Sequence, residues 1–278
     1  MNFMIRYIFI ITLLLTFFYC VEGAITPVNI SLWPPICLFK EADVYGLDVG
    51  IIATKSNKVY GIQFAPLWNR NAEELYGIQM SFINYQSNHL KGIQIGIFGN
   101  GIEAANTASI LTLMWFTAAG GRLNDAEDSS ASEYFPKSKE APSLGTLNGI
   151  QIALWGNWVK WMAGLQVSCI INRTIQADGI QITGLINEAQ YKLKGIQIAA
   201  LNNGGQYSQG AQIGFLNSSG DLRGIQIGFL NISHDCKGVQ IGVLNGCYKL
   251  KGIQIGALNF IRKPQIITPV MLGLNVGW

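Results

Sequence analysis

The stretch Leu222–Asp235, L-R-G-I-Q-I-G-F-L-N-I-S-H-D, is the clearest copy of a unit that repeats along the chain. Apolar and small residues alternate along its first ten positions, and alternation with a period of two residues is the signature of a β-strand. The polar residues of Ser218–Asp221, like those after the strand, predict a turn. One predicted strand face carries Arg223, Ile225, Ile227, Phe229 and Asn231, and the other carries Leu222, Gly224, Gln226, Gly228 and Leu230.

The repeated unit reads approximately G-I-Q-I-G-x-L-N, with a glutamine two residues after the first glycine. A divergent first copy opens at Gly46 and has Asp48 in the glutamine position. The copies mostly recur every 14 to 16 residues, which is too short for helical-hairpin repeats of about 33 residues. The spacing suits one strand of about ten residues and a turn of about four. The other copies open at Gly61, Gly77, Gly92, Gly149, Gly164, Gly179, Gly195, Gly210, Gly224, Gly238 and Gly252.

The composition excludes several classes of protein. Of the 278 residues, 32 are glycine and 13% are charged, whereas about a quarter of an average chain is charged. An apolar content of 49% argues against disorder, and the glycines lack the three-residue period of collagen. Apolar runs long enough for several membrane helices are absent, and a net charge of +3 does not indicate a nucleic-acid partner.

The N-terminus has the features of an export signal. Arg6 precedes an apolar run over Tyr7–Tyr19, and small residues at Val21 and Gly23 fit cleavage before Ala24. A membrane anchor is the alternative. We therefore expect a signal peptide over residues 1–23, an N-terminal segment over 24–43 and a repeat β domain over 44–278, exported to the outer membrane or cell surface.

One long gap interrupts the repeats between Gly92 and Gly149. It contains a strand candidate, Ala108–Thr117, and then the polar, aperiodic stretch Ala118–Ser143. A stretch of this kind predicts a long exposed loop. Residues 118–143 are the candidate contact with an external protein or surface ligand, and a disordered insertion is the alternative.

The main predicted architecture is all-β, an antiparallel transmembrane β-barrel of about fourteen strands. Strands of this length, with an apolar face bounded by polar or aromatic ends, suit a barrel whose apolar face contacts outer-membrane lipid. Gln and Gly would then line the interior and allow a pore. The last segment, Val270–Trp278, alternates and ends on an aromatic residue, as terminal strands of bacterial outer-membrane barrels do.

The alternative architecture is a secreted β-solenoid that acts as a binding or adhesion surface, in which each repeat forms one coil. The single-strand repeat and the uniformly short turns favour it, and the recurring asparagine at the end of each unit would then form a stacked ladder. The few polar residues left for the other walls argue against it, because they supply little apolar core. Cysteine pairing discriminates: a Cys236–Cys247 disulfide would span roughly 35 Å across a barrel strand but suits neighbouring coils. The disulfide state of Cys37, Cys169, Cys236 and Cys247 is open.

The tandem G-[IL]-Q-[IL]-G-x-x-N units behind a signal-like N-terminus resemble the bacterial surface-repeat proteins first noted in spirochaetes. The resemblance covers about Ile25 to Trp278, including T-P-V-N-I-S-L-W-P-P at Thr26–Pro35. It implies export to the cell envelope and carries no catalytic motif.

No constellation in the sequence predicts catalysis. Ser233, His234 and Asp235 are consecutive in a predicted turn, so their side chains diverge. Asp125, Glu127, Asp128 and Glu133 lack the spacing of a calcium loop. We expect a non-enzymatic protein with a structural or surface-interaction role and without catalytic residues, cofactor or metal. Trp155, Trp158 and Trp161 fit an interfacial aromatic girdle, with a carbohydrate platform as the alternative.

Overall fold

A computed structural model describes residues 21–34, 36–86, 88–102, 145–262 and 270–277, and these residues form β-structure throughout. No helix in these ranges is long and apolar enough to cross a membrane. The strands are β1 Val21–Glu22, β2 Ile25–Trp33, β3 Ile36–Cys37, β4 Phe39–Lys40, β5 Asp43–Gly50, β6 Ala53–Phe64, β7 Trp68–Gln86, β8 His89–Ile102, β9 Thr146–Ala153, β10 Gly156–Ser168, β11 Ile171–Thr183, β12 Ile186–Ala199, β13 Asn202–Ile213, β14 Leu216–Ile261 and β15 Val270–Gly277.

Successive repeats stack in parallel, each on the one before it. Strands β5 to β14 neighbour one another in chain order, and the register pairs each repeat glycine and each glutamine with its counterpart. Gly164 pairs with Gly179, for example, and Gln166 with Gln181. The fold is a β-solenoid of about eleven turns.

The predicted antiparallel barrel of about fourteen strands is therefore wrong, and the alternative architecture is correct. In an antiparallel barrel, neighbouring strands run in opposite directions and cannot place identical repeat positions side by side. The pore suggestion loses its basis with the barrel, because the glutamines that were to line a lumen are buried in the coil interior.

Each coil has a long wall, a turn and a short wall. In one coil the long wall is Gln176–Thr183, and the turn at Gly184–Leu185 leads into the short wall Ile186–Ala189. The chain then turns a corner, where the pairing register is irregular, and enters the long wall of the next coil. The polar stretches predicted as turns, such as Ser218–Asp221, lie within strands instead. The short wall uses residues that the sequence pattern assigned to loops.

The first glycine of each repeat has a backbone conformation that other residues rarely adopt. Gly224 has φ = 147° and Gly238 has φ = 156°. A Cβ on Gly224 would overlap the carbonyl oxygen of Gly210 in the preceding coil, and one on Gly238 would overlap that of Gly224. Coils therefore approach this closely only where a side chain is missing.

The coil interior is largely polar, which explains how a small coil forms a core. The repeat glutamines and a second column of asparagines at the start of the short wall are fully or almost fully buried. A third column of mostly apolar residues, including Leu75, Leu90, Leu193 and Leu222, fills the space near the corner. The short wall does supply little apolar core, as the sequence indicated, but hydrogen-bonded amides fill the interior in its place.

The predicted strand faces are correct up to the turn and wrong beyond it. Ile225 and Ile227 point outwards, and Leu222 and Gln226 point inwards, as the alternation predicts. The turn at Phe229–Leu230 reverses the parity, so Asn231 is buried although the pattern placed it with the isoleucines.

Strands at the two ends complete the solenoid. Strand β2, within the 24–43 segment, pairs in parallel with β5. Strand β15 pairs antiparallel with the last coil, Ile253 lying opposite Val276 and Ile255 opposite Leu274. Strand β8 pairs directly with β9, so the coil stack continues across the gap between repeats. The predicted strand Ala108–Thr117, the loop Ala118–Ser143, most of the signal segment and Trp278 lie outside the described residues.

Candidate binding surface

An exposed apolar surface follows the turn side of almost every complete repeat coil. It comprises the outward residues at the end of each long wall and the residues of the turn, and we call it the apolar edge. In the coil of Gly224 it consists of Ile225, Ile227 and Phe229, which are 40–44% exposed, and continues to Ile232 on the short wall. Other exposed members include Ile62, Phe64, Leu67, Phe82, Ile97, Leu154, Ile182, Leu185, Ile198, Leu201, Phe215, Ile241, Val243, Ile255 and Phe260.

The apolar edge is large for a surface exposed to water. Its exposed side chains total on the order of 1,000 Å², whereas the largest apolar patch of a typical monomer covers about 300–600 Å². Phe215 and Phe229 stack with ring centroids 4.9 Å apart, and Phe82 stacks on Phe98 at 5.5 Å. Turn backbones are hydrogen-bonded between coils, as from the Leu230 amide to the Phe215 carbonyl at 3.0 Å. The surface is therefore held by the same coil stacking that forms the fold.

The opposite side of the coil, near the corner, is polar and charged, and we call it the polar edge. It contains the ion pairs Lys55–Glu41 and Lys58–Glu73. Between the two edges, the outer surface of the long wall has a column of Tyr45, Tyr60 and Tyr76 in the first coils, stacked at 4.7 and 4.9 Å. In the last coils that column becomes Arg223, Lys237 and Lys251, all exposed. The cross-section of the solenoid is thus amphipathic.

The glutamine ladder runs the length of the solenoid under the long wall. The Nε2 of each glutamine donates to the Oε1 of the glutamine in the preceding coil, as from Gln181 to Gln166 at 2.9 Å and from Gln197 to Gln181 at 2.8 Å. At the first coil Gln63 Nε2 donates instead to the Asp48 carboxylate, 2.8 Å away. A carboxylate accepts only, so Asp48 is a fitting terminus for a ladder of donors.

The asparagine ladder runs in the opposite sense. Asn172 Nδ2 donates to Asn187 Oδ1 in the following coil at 3.1 Å, and also to the carbonyl of Ile182 at 2.8 Å. Each asparagine thus uses both of its N–H groups and ties the short wall of one coil to the long wall of the next. Because the two ladders point in opposite directions, their side-chain dipoles oppose each other along the solenoid axis.

Burial raises the pKa of the Asp48 carboxyl above its ordinary value. Hydrogen bonds that Asp48 accepts from Ser56 and Gln63 act in the opposite direction, but desolvation dominates. The Oδ1 atom of Asp48 is buried without a hydrogen-bond partner. The first coil therefore carries an energetic cost at neutral pH that the glutamines of later coils do not.

The four cysteines from residue 37 onward are free thiols in two environments. Cys169 is exposed in a turn of the apolar edge, whereas Cys37 is buried. Cys236 and Cys247 pack in one buried cluster with Leu222 and Leu250, and burial raises their pKa to about 11 and about 12. The two thiols share one cluster, as neighbouring coils of a solenoid allow, but they form no disulfide.

The residues considered for catalysis are not brought together. Ser233 is buried and accepts a hydrogen bond from Gln240 at 3.2 Å, whereas His234 stacks on Tyr248 at the surface with ring centroids 4.7 Å apart. Asp235 Oδ1 is buried with no partner. Among the described residues, no group of three or more His, Cys, Asp and Glu side chains is placed to hold a metal. The acidic set Asp125, Glu127, Asp128 and Glu133 lies outside the described ranges.

The tryptophan group does not form a girdle. Trp158 is buried against Ile171, and Trp155 packs on Phe98 with ring centroids 5.3 Å apart. Trp161 lines a shallow cavity of about 340 Å³ on the long wall, with Met162 and Lys194 among the other lining residues. Trp155 and Trp158 therefore belong to one apolar cluster around Ile171, whereas Trp161 lies apart on the long wall.

Fold and surface together define the class: a parallel β-solenoid repeat protein with a hydrogen-bonded amide core and an exposed apolar edge. No protein-family model, no curated protein and no solved structure matches the chain. Under the solenoid alternative, sequence reasoning placed the recurring asparagines in a stacked ladder, which the structure confirms. It missed the apolar edge as a continuous surface. The regular isoleucines signalled the edge, but the barrel hypothesis assigned them to lipid on a closed cylinder.

Proposed function

We propose that this chain is a non-enzymatic repeat protein that binds a partner through the apolar edge. The observation that carries this proposal is the recurrence of the edge: coil after coil exposes apolar side chains on the same side, while its glutamines and asparagines are buried. In the coil of Gly164 the outward Leu165 and Val167 are half-buried and Cys169 is exposed. Exposing apolar groups to water and burying amides reverses the usual preference of a soluble core. A repeated reversal of this kind favours a surface that another molecule covers.

The second part of the proposal is that the protein acts at the cell envelope. The basic residue and apolar run before Ala24 support export, and the resemblance of the repeats to bacterial surface-repeat proteins supports the same location. Fractionation of cells that express the full chain tests this part. Recovery with the envelope, together with cleavage before Ala24, is the expected result, and recovery of the uncleaved chain with cytosolic proteins contradicts it.

Cys169 offers a direct test of the binding proposal, because it is an exposed thiol on the apolar edge. In a chain carrying Cys20→Ser, an environment-sensitive fluorophore on Cys169 reports whether the edge leaves water. We expect a blue shift when lipid vesicles are added or when the protein concentration is raised. An emission spectrum that stays water-like under both conditions contradicts the proposal.

A further inference from the structure

The shape of the apolar edge is convex rather than flat. In the coil of Gly224 the exposed apolar side chains begin at Ile225, pass around the turn at Phe229 and reach Ile232 on the short wall. The edge therefore forms a ridge along the molecule. A rigid flat protein surface contacts only the crest of such a ridge, whereas lipid chains are deformable and can surround it.

Cations flank this ridge in the last coils. Arg223, Lys237 and Lys251 each precede a repeat glycine and are exposed on the same outer face as the isoleucines. The stacking of Gly238 on Gly224 and of Gly252 on Gly238 places these cations in successive coils, about 4.8 Å apart along the backbone. None of the three takes part in an ion pair within the described part of the chain.

Carboxylates lie farther from the ridge than the cations do. Asp221 and Asp235 each precede a cation by two residues, on the corner side of the long wall, whereas Lys249 takes this position before Lys251. In the first two of these coils the order across the wall is therefore apolar side chains, then cations, then carboxylates, and in the third it is apolar side chains and then two cations. This order matches the depth profile of a bilayer surface, where apolar groups reach the acyl chains and basic side chains meet anionic headgroups.

The final strand extends the ridge. Val276 and Leu274 of β15 lie opposite Ile253 and Ile255 and are 45% and 53% exposed. Leu272 of the same strand is 76% exposed. The part of the solenoid with the three stacked cations is thus also the part with an additional exposed apolar strand.

We infer that the solenoid lies along a lipid bilayer that contains anionic lipids, with the apolar edge at the boundary between headgroups and acyl chains. This inference rests on the proposed function and names its partner. The solenoid would lie in the plane of the interface with its apolar side inwards, as an interfacial amphipathic helix does. A second copy of this chain is the competing occupant, and the following experiment separates the two.

The experiment is flotation of the full chain with vesicles of phosphatidylcholine alone or with about one-third phosphatidylglycerol, at physiological salt. The ridge variant combines Ile227→Thr, Phe229→Ser, Ile241→Thr and Val243→Ser, all outward positions whose change leaves the core intact. We expect it to bind both kinds of vesicle at least about tenfold more weakly. The control variant Ile25→Thr removes a more exposed isoleucine from the corner side of β2 and is expected to bind like the parent.

The cation variant combines Arg223→Gln, Lys237→Gln and Lys251→Gln. We expect about tenfold weaker binding to the anionic vesicles and unchanged binding to phosphatidylcholine. Circular dichroism and unfolding midpoints establish that each variant is folded.

Absence of vesicle binding by the folded parent overturns the bilayer inference. If the parent then self-associates and the ridge variant does not, a second copy occupies the edge and the proposed binding function stands. If the parent is monomeric and binds no vesicles, both proposals are overturned. Vesicle binding that the ridge variant retains also overturns the inference, because another surface is then responsible.

Discussion

At the scale of single residues, glycine and the amides determine this fold. The repeat glycine is required because a carbonyl oxygen of the preceding coil occupies the place of its Cβ, and because its φ is positive. The glutamine and asparagine are required because each supplies both a donor and an acceptor along the stacking direction. No apolar residue can replace that function without leaving two neighbouring amides unpaired.

Gly224→Ala tests the requirement for glycine. The new Cβ would overlap the Gly210 carbonyl oxygen and adopt a strained φ, so we expect the free energy of unfolding to fall by about 3 kcal/mol or more. Gly246→Ala is the matched control, since its Cβ would meet only the Asn231 carbonyl oxygen at 4.0 Å. We expect that change to stay within about 1 kcal/mol. Equal effects of the two substitutions in denaturant unfolding would contradict the stacking geometry.

Asp48 predicts a dependence of stability on pH. Its raised pKa means that the folded chain binds this proton more tightly than the unfolded chain does. Its contribution to the free energy of unfolding is therefore fully present at low pH and is lost as the pH rises from the ordinary carboxyl value, about 3.9, through the raised value.

The variant Asp48→Asn keeps an oxygen acceptor for Gln63 and cannot ionise. We expect the stability difference, variant minus parent, to grow as the pH rises through this window. Urea unfolding of both proteins across the acidic range measures it, and a difference that stays constant with pH contradicts the assignment.

At the scale of elements, the two ladders convert one strand and one short wall into a cooperative stack. Gln181 receives a hydrogen bond from Gln197 and donates one to Gln166, so every glutamine couples two interfaces between coils. The ladders also account for the regularity of the repeat. A coil of different length is tolerated when the extra residues fall at the corner, where these registers are irregular, or at the turn, as between Ser81 and Ile83.

Gln181→Leu interrupts the ladder in its middle. It leaves Gln166 Oε1 without a donor and Gln197 Nε2 without its ladder acceptor, both buried, so we expect a loss of about 2–4 kcal/mol in the free energy of unfolding. The neighbouring Ile180→Thr is the control, because Ile180 points outwards and is 39% exposed. Its effect is expected to stay within about 0.5 kcal/mol. A larger loss from the isoleucine change would mean that the apolar face, rather than the amide ladder, forms the core.

The thiols provide a chemical test of which sides of the coil face water. At neutral pH, a maleimide should modify Cys169 rapidly in the folded chain. Cys236 and Cys247 should react only after unfolding, because they are buried and their raised pKa keeps them as thiols. Peptide mapping after brief labelling measures the pattern, and early modification of Cys247 would contradict the described core.

At the scale of the whole molecule, the sequence pattern was sufficient for the β class and for which residues of the long wall face outwards. The pattern did not predict how each repeat folds back to close a coil. Alternation of Ile225, Gln226 and Ile227 is the same in a barrel strand and in a solenoid wall, because both separate an apolar face from a polar one. What distinguishes the solenoid from the barrel is the position of the Asn231 side chain. Its burial beside the next asparagine depends on contacts between coils, which no single repeat displays.

The candidate surface was likewise only half predictable. The apolar positions were correctly expected on the outside, but their arrangement as a ridge follows from the turn at Phe229–Leu230, where the chain changes walls. The expected contact site at residues 118–143 remains a prediction.

The central claim, an open stack of coils, is tested most directly by distances between outward positions. In a background carrying Cys20→Ser and Cys169→Ser, spin-label pairs join residue 62 to residue 165, 196 or 253, which lie four, six and ten coils along the stack. At about 4.8 Å per coil, the solenoid predicts label separations near 19, 29 and 48 Å. A separation that increases steadily with coil number is the expected result. A separation that passes through a maximum and then shortens would indicate a closed ring of strands and contradict the solenoid.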